Sequence, residues 1–221
     1  MKNNKLYWVL GGVCAVSFLA HLCFYPSLPE TIPTHWGFDG TVDGWGPKYT
    51  VLILALLPAL IALMLRVLPA MDPKGKNYET FSKFYNGFAI GITVFLVCIS
   101  WLPELALFGL LPDGSQILGI VLNAVLGISF IALGNYMPRI KQNYFFGCRT
   151  PWGLADEHNW NRTNRMGGIT FVVMGIILLA SIPFFGLLGS FGSGMLILVA
   201  ALGGSAWIYI YSFLVFKGIM K

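Results

Sequence analysis

The sequence predicts an all-α polytopic membrane protein, a bundle of six transmembrane helices with both termini cytoplasmic. Three observations carry this. Of 221 residues, 57% are hydrophobic and only 10% are charged, against about 25% charged in soluble domains. A single water-soluble core has no room for that much apolar side chain. Six apolar runs approach the roughly 20 residues that cross the hydrocarbon of a bilayer: Leu6 to Tyr25, Tyr49 to Leu68, Phe84 to Leu102, Gln116 to Met137, Met166 to Leu187 and Gly194 to Phe216. Finally, all but Lys48 of the 14 Lys and Arg residues fall before span one, at the inner end of span two (Arg66) or between spans two and three, between four and five, or after span six. Basic residues near a span stay on the cytoplasmic side, so these segments are expected inside.

The net charge of +5 follows from that asymmetry and points to anionic lipid head groups, not to direct nucleic-acid contact. Lys2 and Lys5 before an apolar run imitate a signal peptide, but no small-residue cleavage site follows, so span one is expected to stay in the mature chain. Cys14, Cys23 and Cys98 lie in spans and Cys148 in a loop. Their spacing suggests neither a disulfide framework nor a metal site.

Near the end of span one lies His21, an ionisable group inside a span. It is read either as a structural hydrogen-bonder or as a pH-sensitive or ligand-contacting group. The longest outer loop, 26–48, is stiffened by Pro26, Pro29 and Pro33 and given tight turns by Gly37, Gly40, Gly44 and Gly46. A defined shape is expected there. Glu30, His35, Asp39 and Asp43 beside Trp36, Phe38 and Trp45 form a mixture able to bind a cationic or amphipathic ligand, while interfacial aromatics also anchor any membrane protein. Convergence of His35, Asp39 and Asp43 on a metal lacks a ligand motif, and neither metal nor cofactor is expected.

Pro58 in span two frees a backbone carbonyl and is expected to kink the helix. In span four, Gly119, Asn123 and Gly127 recur every four residues and form a small, polar stripe suited to close helix packing. Asn123 is expected to hydrogen-bond there. Spans five and six are joined by an uncharged turn, Gly186 to Gly192.

The polar island 143–165 is the chain's densest chemistry. Thr150 before Pro151 is disfavoured in helix, and Asp156 is a plausible N-cap for a helix running into span five. On that helix Trp160, Thr163, Asn164 and Gly167 share one face, and His158, Asn161, Arg162 and Arg165 the other. One side should pack on the bundle and the other meet the cytoplasm. Arg149 could pair with Asp156 or Glu157, stack on Trp152 or hold a lipid phosphate.

Three runs carry a resemblance: Gly134-Asn135-x-x-Pro138; Asn143-x-x-x-Gly147-x-Arg149-Thr150-Pro151-Trp152-x-Leu154; and Trp160-x-x-Thr163-Asn164-Arg165. They resemble the signature of the SdpI family of bacterial immunity membrane proteins. Cys148 departs from the branched aliphatic more usual there. Upstream, Pro29-x-x-Ile32-Pro33-x-His35-Trp36, Gly40 and Asp43-Gly44-Trp45 resemble a small membrane domain of unknown function often fused ahead of that signature. The sequence is accordingly divided into a two-helix domain, 1–68, and a four-helix domain, 69–221, with its signature loop at 138–165.

The resemblance implies a multi-pass protein of the bacterial cell membrane that protects its producer from a secreted antimicrobial peptide. It further implies possible signalling by holding a cytoplasmic autorepressor at the membrane. Toxin contacts would fall on Glu30, His35, Trp36, Asp39, Asp43 and Trp45. Partner contacts would fall on Asn143, Arg149, Thr150, Pro151, Trp152, Trp160, Arg162, Asn164 and Arg165. The competing class is a small transporter or ion-conducting protein using His21, Asn123 and Glu104, although the spans lack the several charges that ion coupling usually needs. No His-Glu-x-x-His, Gly-x-Ser-x-Gly or phosphate-binding glycine loop occurs, and an enzyme is not expected. Sequence leaves the oligomeric state open.

Overall fold

A computed structural model describes residues 4–37, 40–111, 114 and 116–220. Asp39 and Phe38, with the basic residues Lys2 and Lys221, lie outside them. The described chain has six helices long and apolar enough to span a membrane: Lys5–Ser27, Thr50–Met71, Gly75–Leu107, Gln116–Arg139, Glu157–Gly189 and Phe191–Phe216. All six expected spans are present. The fifth starts nine residues earlier than its apolar run because the polar signature helix continues into it without a break.

By packing, the chain divides into two compact units, Met1–Met71 with Ser82–Ser115, and Asp72–Phe81 with Gln116–Lys221. This grouping differs from the sequence division after Leu68. The first unit holds α1 (Asn4–Phe24), a hairpin of β1 (Thr31–Trp36) and β2 (Val42–Pro47), α2 (Thr50–Met71), α3 (Ser82–Ser100) and the short α4 (Leu102–Leu107). Helix α2 packs on both α1 and α3. The second unit holds α5 (Gln116–Tyr136), the one-turn α6 (Pro151–Ala155), α7 (Glu157–Ser181) and α8 (Phe185–Phe216), with α7 packed on α5 and α8.

One departure from the sequence reading has a clear cause. The second span was expected to stop at Leu68, yet α2 runs through Pro69 to Met71. Proline at 69 lacks the N–H that would bond the Leu65 carbonyl, and the hydroxyl of Tyr85 donates to that carbonyl instead, at 2.8 Å. A buried acceptor is thereby satisfied from the next helix, and the helix continues. In α8, Gly189 has φ 64° and ψ 171°, a conformation glycine adopts without a Cβ clash. The break falls within the expected turn between spans five and six.

The small-residue stripe of span four is a packing seam. A Cβ added at Gly134 would lie 2.5 Å from the Gly168 carbonyl oxygen, and one added at Gly175 would lie 2.5 Å from that of Gly127. Helices α5 and α7 thus meet backbone to backbone, as small residues permit in lipid. Asn123 is buried in α5, but its amide donates to the Gly119 carbonyl of its own helix at 3.1 Å.

Candidate functional site

In the first unit the loop 26–48 folds as an antiparallel hairpin, pairing Thr31 with Pro47, Ile32 with Gly46, Pro33 with Trp45, His35 with Gly44 and Trp36 with Val42. The register shifts on either side of His35, a bulge of the kind that re-aims a side chain. A Cβ at Gly44 would meet the His35 Cβ at 2.7 Å, so glycine is required opposite the bulge. Beneath the strands Leu28, Ile32 and Val51 form a buried cluster against which Tyr25 and Leu107 pack.

Among the described residues the hairpin's charges are paired with one another. His35 Nδ1 lies 2.5 Å from Asp43 Oδ1, with side chains 73% and 49% exposed. At the base, Lys48 Nζ donates to Glu30 Oε1 at 2.8 Å. That hydrogen bond holds the Lys48 ammonium above its ordinary value, although both groups reach solvent and such pairs contribute little to stability. Trp36 is half-buried and Trp45 is 62% exposed. Of the residues expected to meet a ligand, Glu30, His35, Asp43 and Trp45 are at the surface. With the Glu30 and Asp43 carboxylates already partnered, the exposed indole is the largest uncommitted group among the hairpin's described residues.

The signature loop, in the second unit, is built in the opposite way. Thr150 is extended (φ −80°, ψ 153°) and caps α6 by accepting from Gly153 N; Asp156 caps α7 by accepting from Asn159 N. Asn143 is fully buried and acts as a hub. Its Oδ1 accepts from Tyr78 Oη at 3.0 Å and from the backbone N–H of Phe145 and Phe146 at 3.0 and 2.6 Å. Its amide donates to the carbonyls of Lys141 and Phe146. Trp160, also fully buried, donates from Nε1 to the Ile140 carbonyl at 2.8 Å. Asn164 accepts from Cys148 N at 3.0 Å and donates to the Trp160 carbonyl.

A second chain of bonds ties the loop to α8. The Ser212 hydroxyl donates to Asn159 Oδ1 at 2.8 Å, so in its 2.6 Å contact with Thr150 the proton comes from the threonine. Thr150 accepts from a backbone amide and donates to Ser212, which donates onward, an arrangement in which each bond polarises the next. Sequence reasoning missed Asp72, Tyr78, Gln142, Asn159 and Ser212. Asp72 Oδ2 accepts from Tyr144 N at 2.8 Å and shares with Asn143 the one hydroxyl proton of Tyr78, whose oxygen is 3.1 Å away, while Oδ1 accepts from Lys74 N at 2.7 Å. Gln142 donates to the Gly153 and Leu154 carbonyls and accepts from the Lys74 ammonium. One signal was available for Asp72: an acid just past the C-terminus of a helix opposes the helix dipole, so it needs donors from elsewhere.

Of the residues expected to face a partner, Asn143, Thr150, Trp160 and Asn164 are therefore buried supports of the loop. Arg149, Pro151 and Arg165 are exposed. Arg149 donates to the Tyr144 carbonyl at 3.3 Å. Trp152 is half-buried, its ring 5.2 Å from that of Phe213. Arg162 donates to Tyr211 Oη at 3.2 Å. Cys148 is pressed onto Gly167, where a Cβ would lie 2.4 Å from its sulfur, and burial pushes its thiol up to about 12. All four cysteines are free thiols. Among the described residues no group of three or more His, Cys, Asp and Glu side chains gathers as a metal site would require.

Residues 12–62 match the model of a domain of unknown function, DUF1648, and residues 139–214 match that of the SdpI/YfhL protein family. The chain is similar to the immunity protein SdpI of Bacillus subtilis (strain 168), 28% identical over 186 residues that cover 84% of this chain and 83% of that one. No solved structure matches it. The likeness to the two family models includes the hairpin in one and the signature loop in the other. With six spanning helices, it makes the chain a multi-pass protein of the cell membrane.

Proposed function

From the matches to the SdpI/YfhL family model and to an immunity protein we propose that this multi-pass membrane protein belongs to the SdpI family and protects the cell carrying it from a secreted antimicrobial peptide, without enzymatic chemistry. The observation that carries this reading is the similarity to an immunity protein along more than four fifths of both chains. In this reading the hairpin faces outward and meets the peptide. Trp45, exposed beside two self-paired ion pairs, suits an amphipathic ligand whose apolar face stacks on the indole while its cations exchange with Lys48 for Glu30. Indoles supply large contact area at low entropic cost, which favours them as anchors.

The finer part of the proposal is a relay. The exposed groups Arg149, Pro151 and Arg165, with the half-buried Trp152, form the surface that would hold a cytoplasmic repressor when the peptide is bound. Such a relay requires the peptide to bind two conformations unequally; moving the balance from 1:99 to 99:1 takes about 5.5 kcal/mol of differential affinity.

The test is survival. A sensitive bacterium expressing the chain is challenged with secreted membrane-active peptides, beside cells with an empty vector and cells with Trp45→Ala. Protection by the parent and its loss in the variant at equal membrane abundance are expected; equal killing of parent and vector cells across the peptides refutes the reading. The transporter reading keeps one supporting observation, the contact of His21 with Glu104, and solute flux in vesicles that vanishes in His21→Ala would promote it.

A further inference from the structure

One buried cluster in the first unit has no part in the immunity reading. His21, in the last turn of α1, and Glu104, in α4, are both fully buried, with Nδ1 2.5 Å from Oε1. The other ring nitrogen, Nε2, lies 3.3 Å from Ser100 Oγ, and the proton of that hydroxyl is committed to the Val97 carbonyl at 2.8 Å. Ser100 is therefore the acceptor, and Nε2 carries a hydrogen. Trp101 stacks on the imidazole at 4.0 Å and 21°, its Nε1 donating to Ser17 Oγ at 3.0 Å. Among the described residues, Glu104 Oε2 is buried with no hydrogen-bond partner.

This geometry fixes a proton count. With Nε2 protonated, one proton shared between Nδ1 and Oε1 makes the pair neutral, whichever atom holds it. Adding a proton leaves an imidazolium beside a carboxylic acid, net +1; removing it leaves an imidazole beside a bare carboxylate, net −1. Either places an uncompensated charge among apolar helices, which is costly. The unpartnered Oε2 sharpens the second case, because no donor meets the charge that would spread onto it.

We propose that the His21–Glu104 pair is a proton-binding site, its ligand a single exchangeable proton held between Nδ1 and Oε1, and that its occupancy sets how firmly α4 is fastened to α1. The fastening matters because α4 is held at two points. Glu104 meets α1, and Leu107, one turn further, packs on the Leu28, Ile32 and Val51 cluster under the hairpin, where α4 also touches β1. Loss of the proton draws water to the carboxylate, loosens α4 and shifts the hairpin's seat. The ionisable groups on the elements packed around the pair are Arg66 on α2, Lys83, Tyr85 and Cys98 on α3, Tyr25 after α1, His35 on β1, and Lys5, Tyr7, Cys14 and Cys23 on α1 itself. Among the described residues none of them bonds to the pair, which therefore exchanges its proton as a unit.

Tryptophan emission of the full chain in lipid vesicles, followed against pH, tests this without any toxin, so it stands or falls apart from the immunity reading. A protonated imidazole quenches an indole stacked on it. The expected result is a titration step that is absent in Trp101→Phe and in His21→Gln, and that moves by roughly tenfold or more in proton concentration in Glu104→Gln. A parent with no Trp101-dependent step, or a Glu104→Gln variant with an unmoved midpoint, overturns the proposal. Should the Gln variants fail to fold, Ser100→Ala keeps the pair and removes the acceptor of Nε2–H; its midpoint must move, and an unmoved one overturns the proposal equally. For the fastening, a thiol reagent should label Leu107→Cys faster once the pH passes the step, and a rate that ignores the step overturns that half.

Discussion

The hairpin and the signature loop are the two polar-rich stretches of this chain, and they use their polar groups in opposite ways. The hairpin's ion pairs are exposed and satisfied two by two. In the loop, Asn143, Thr150, Asn159 and Asn164 are almost wholly buried and satisfied as a network. A buried polar group that loses its partner bears the full desolvation cost, whereas an exposed one returns to water. Density of signature residues therefore marks a structure that must be held in one shape; the groups able to meet a partner are the few it leaves outside.

Substitutions can break that contrast, beginning with the largest effect. Trp160→Ala removes a fully buried indole and strands the Ile140 carbonyl. It should cost about 3–5 kcal/mol, seen as loss of folded protein in the membrane fraction or a lowered unfolding midpoint in detergent. Asn143→Ala leaves several donors and acceptors unmet and should cost about 2–3 kcal/mol by the same assay; Thr150→Ala, which loses a cap and the link to Ser212, about 1–2 kcal/mol. On the hairpin, His35→Ala and Asp43→Asn should change stability by less than about 1 kcal/mol while altering survival under peptide challenge. A hairpin variant that unfolds the protein would erase the distinction.

Cys148 sharpens it further. Burial raises this thiol from an ordinary 9.0 to about 12, so the folded state favours the protonated form. The associated stability is fully present below pH 9.0 and is lost as pH rises from there through about 12. Between those limits an alkaline unfolding series of the parent should fall more steeply than that of Cys148→Val. The native thiol should also react slowly with maleimides at neutral pH, since the thiolate is the nucleophile. Sidedness is better read from a cysteine introduced at the exposed Glu157. Smallest of all, Arg149→Ala and Arg165→Ala should leave stability within about 0.5 kcal/mol and, under the relay proposed above, act only on retention of a cytoplasmic partner at the membrane.

Much of this was legible in the sequence because it is local. Run length gave the spans, Asp156 announced the start of α7, and the 3.6-residue period separated Trp160, Thr163, Asn164 and Gly167 from the exposed face. What was hidden depends on residues distant in the chain. His21 meets Glu104 from 83 positions away, and Tyr78 meets Asn143 from 65. The strands were masked by composition, since Pro33, Pro47, Gly44 and Gly46 all lower strand propensity; pairing around a bulge overrode it. Pro69 looked like a helix stop until Tyr85 supplied the missing donor.

The glycine contacts between α5 and α7 have a mechanical consequence. Where Gly127 faces Gly175 and Gly134 faces Gly168, no layer of side chains lies between the two backbones to shear or repack. The pair must move as a single stiff beam, and any flexing of the second unit is left to α8, with its break at Gly189. Filling one notch, as in Gly134→Leu, would pry the beam apart, whereas leucine at Gly203, where a Cβ meets nothing within 4 Å, would go unnoticed.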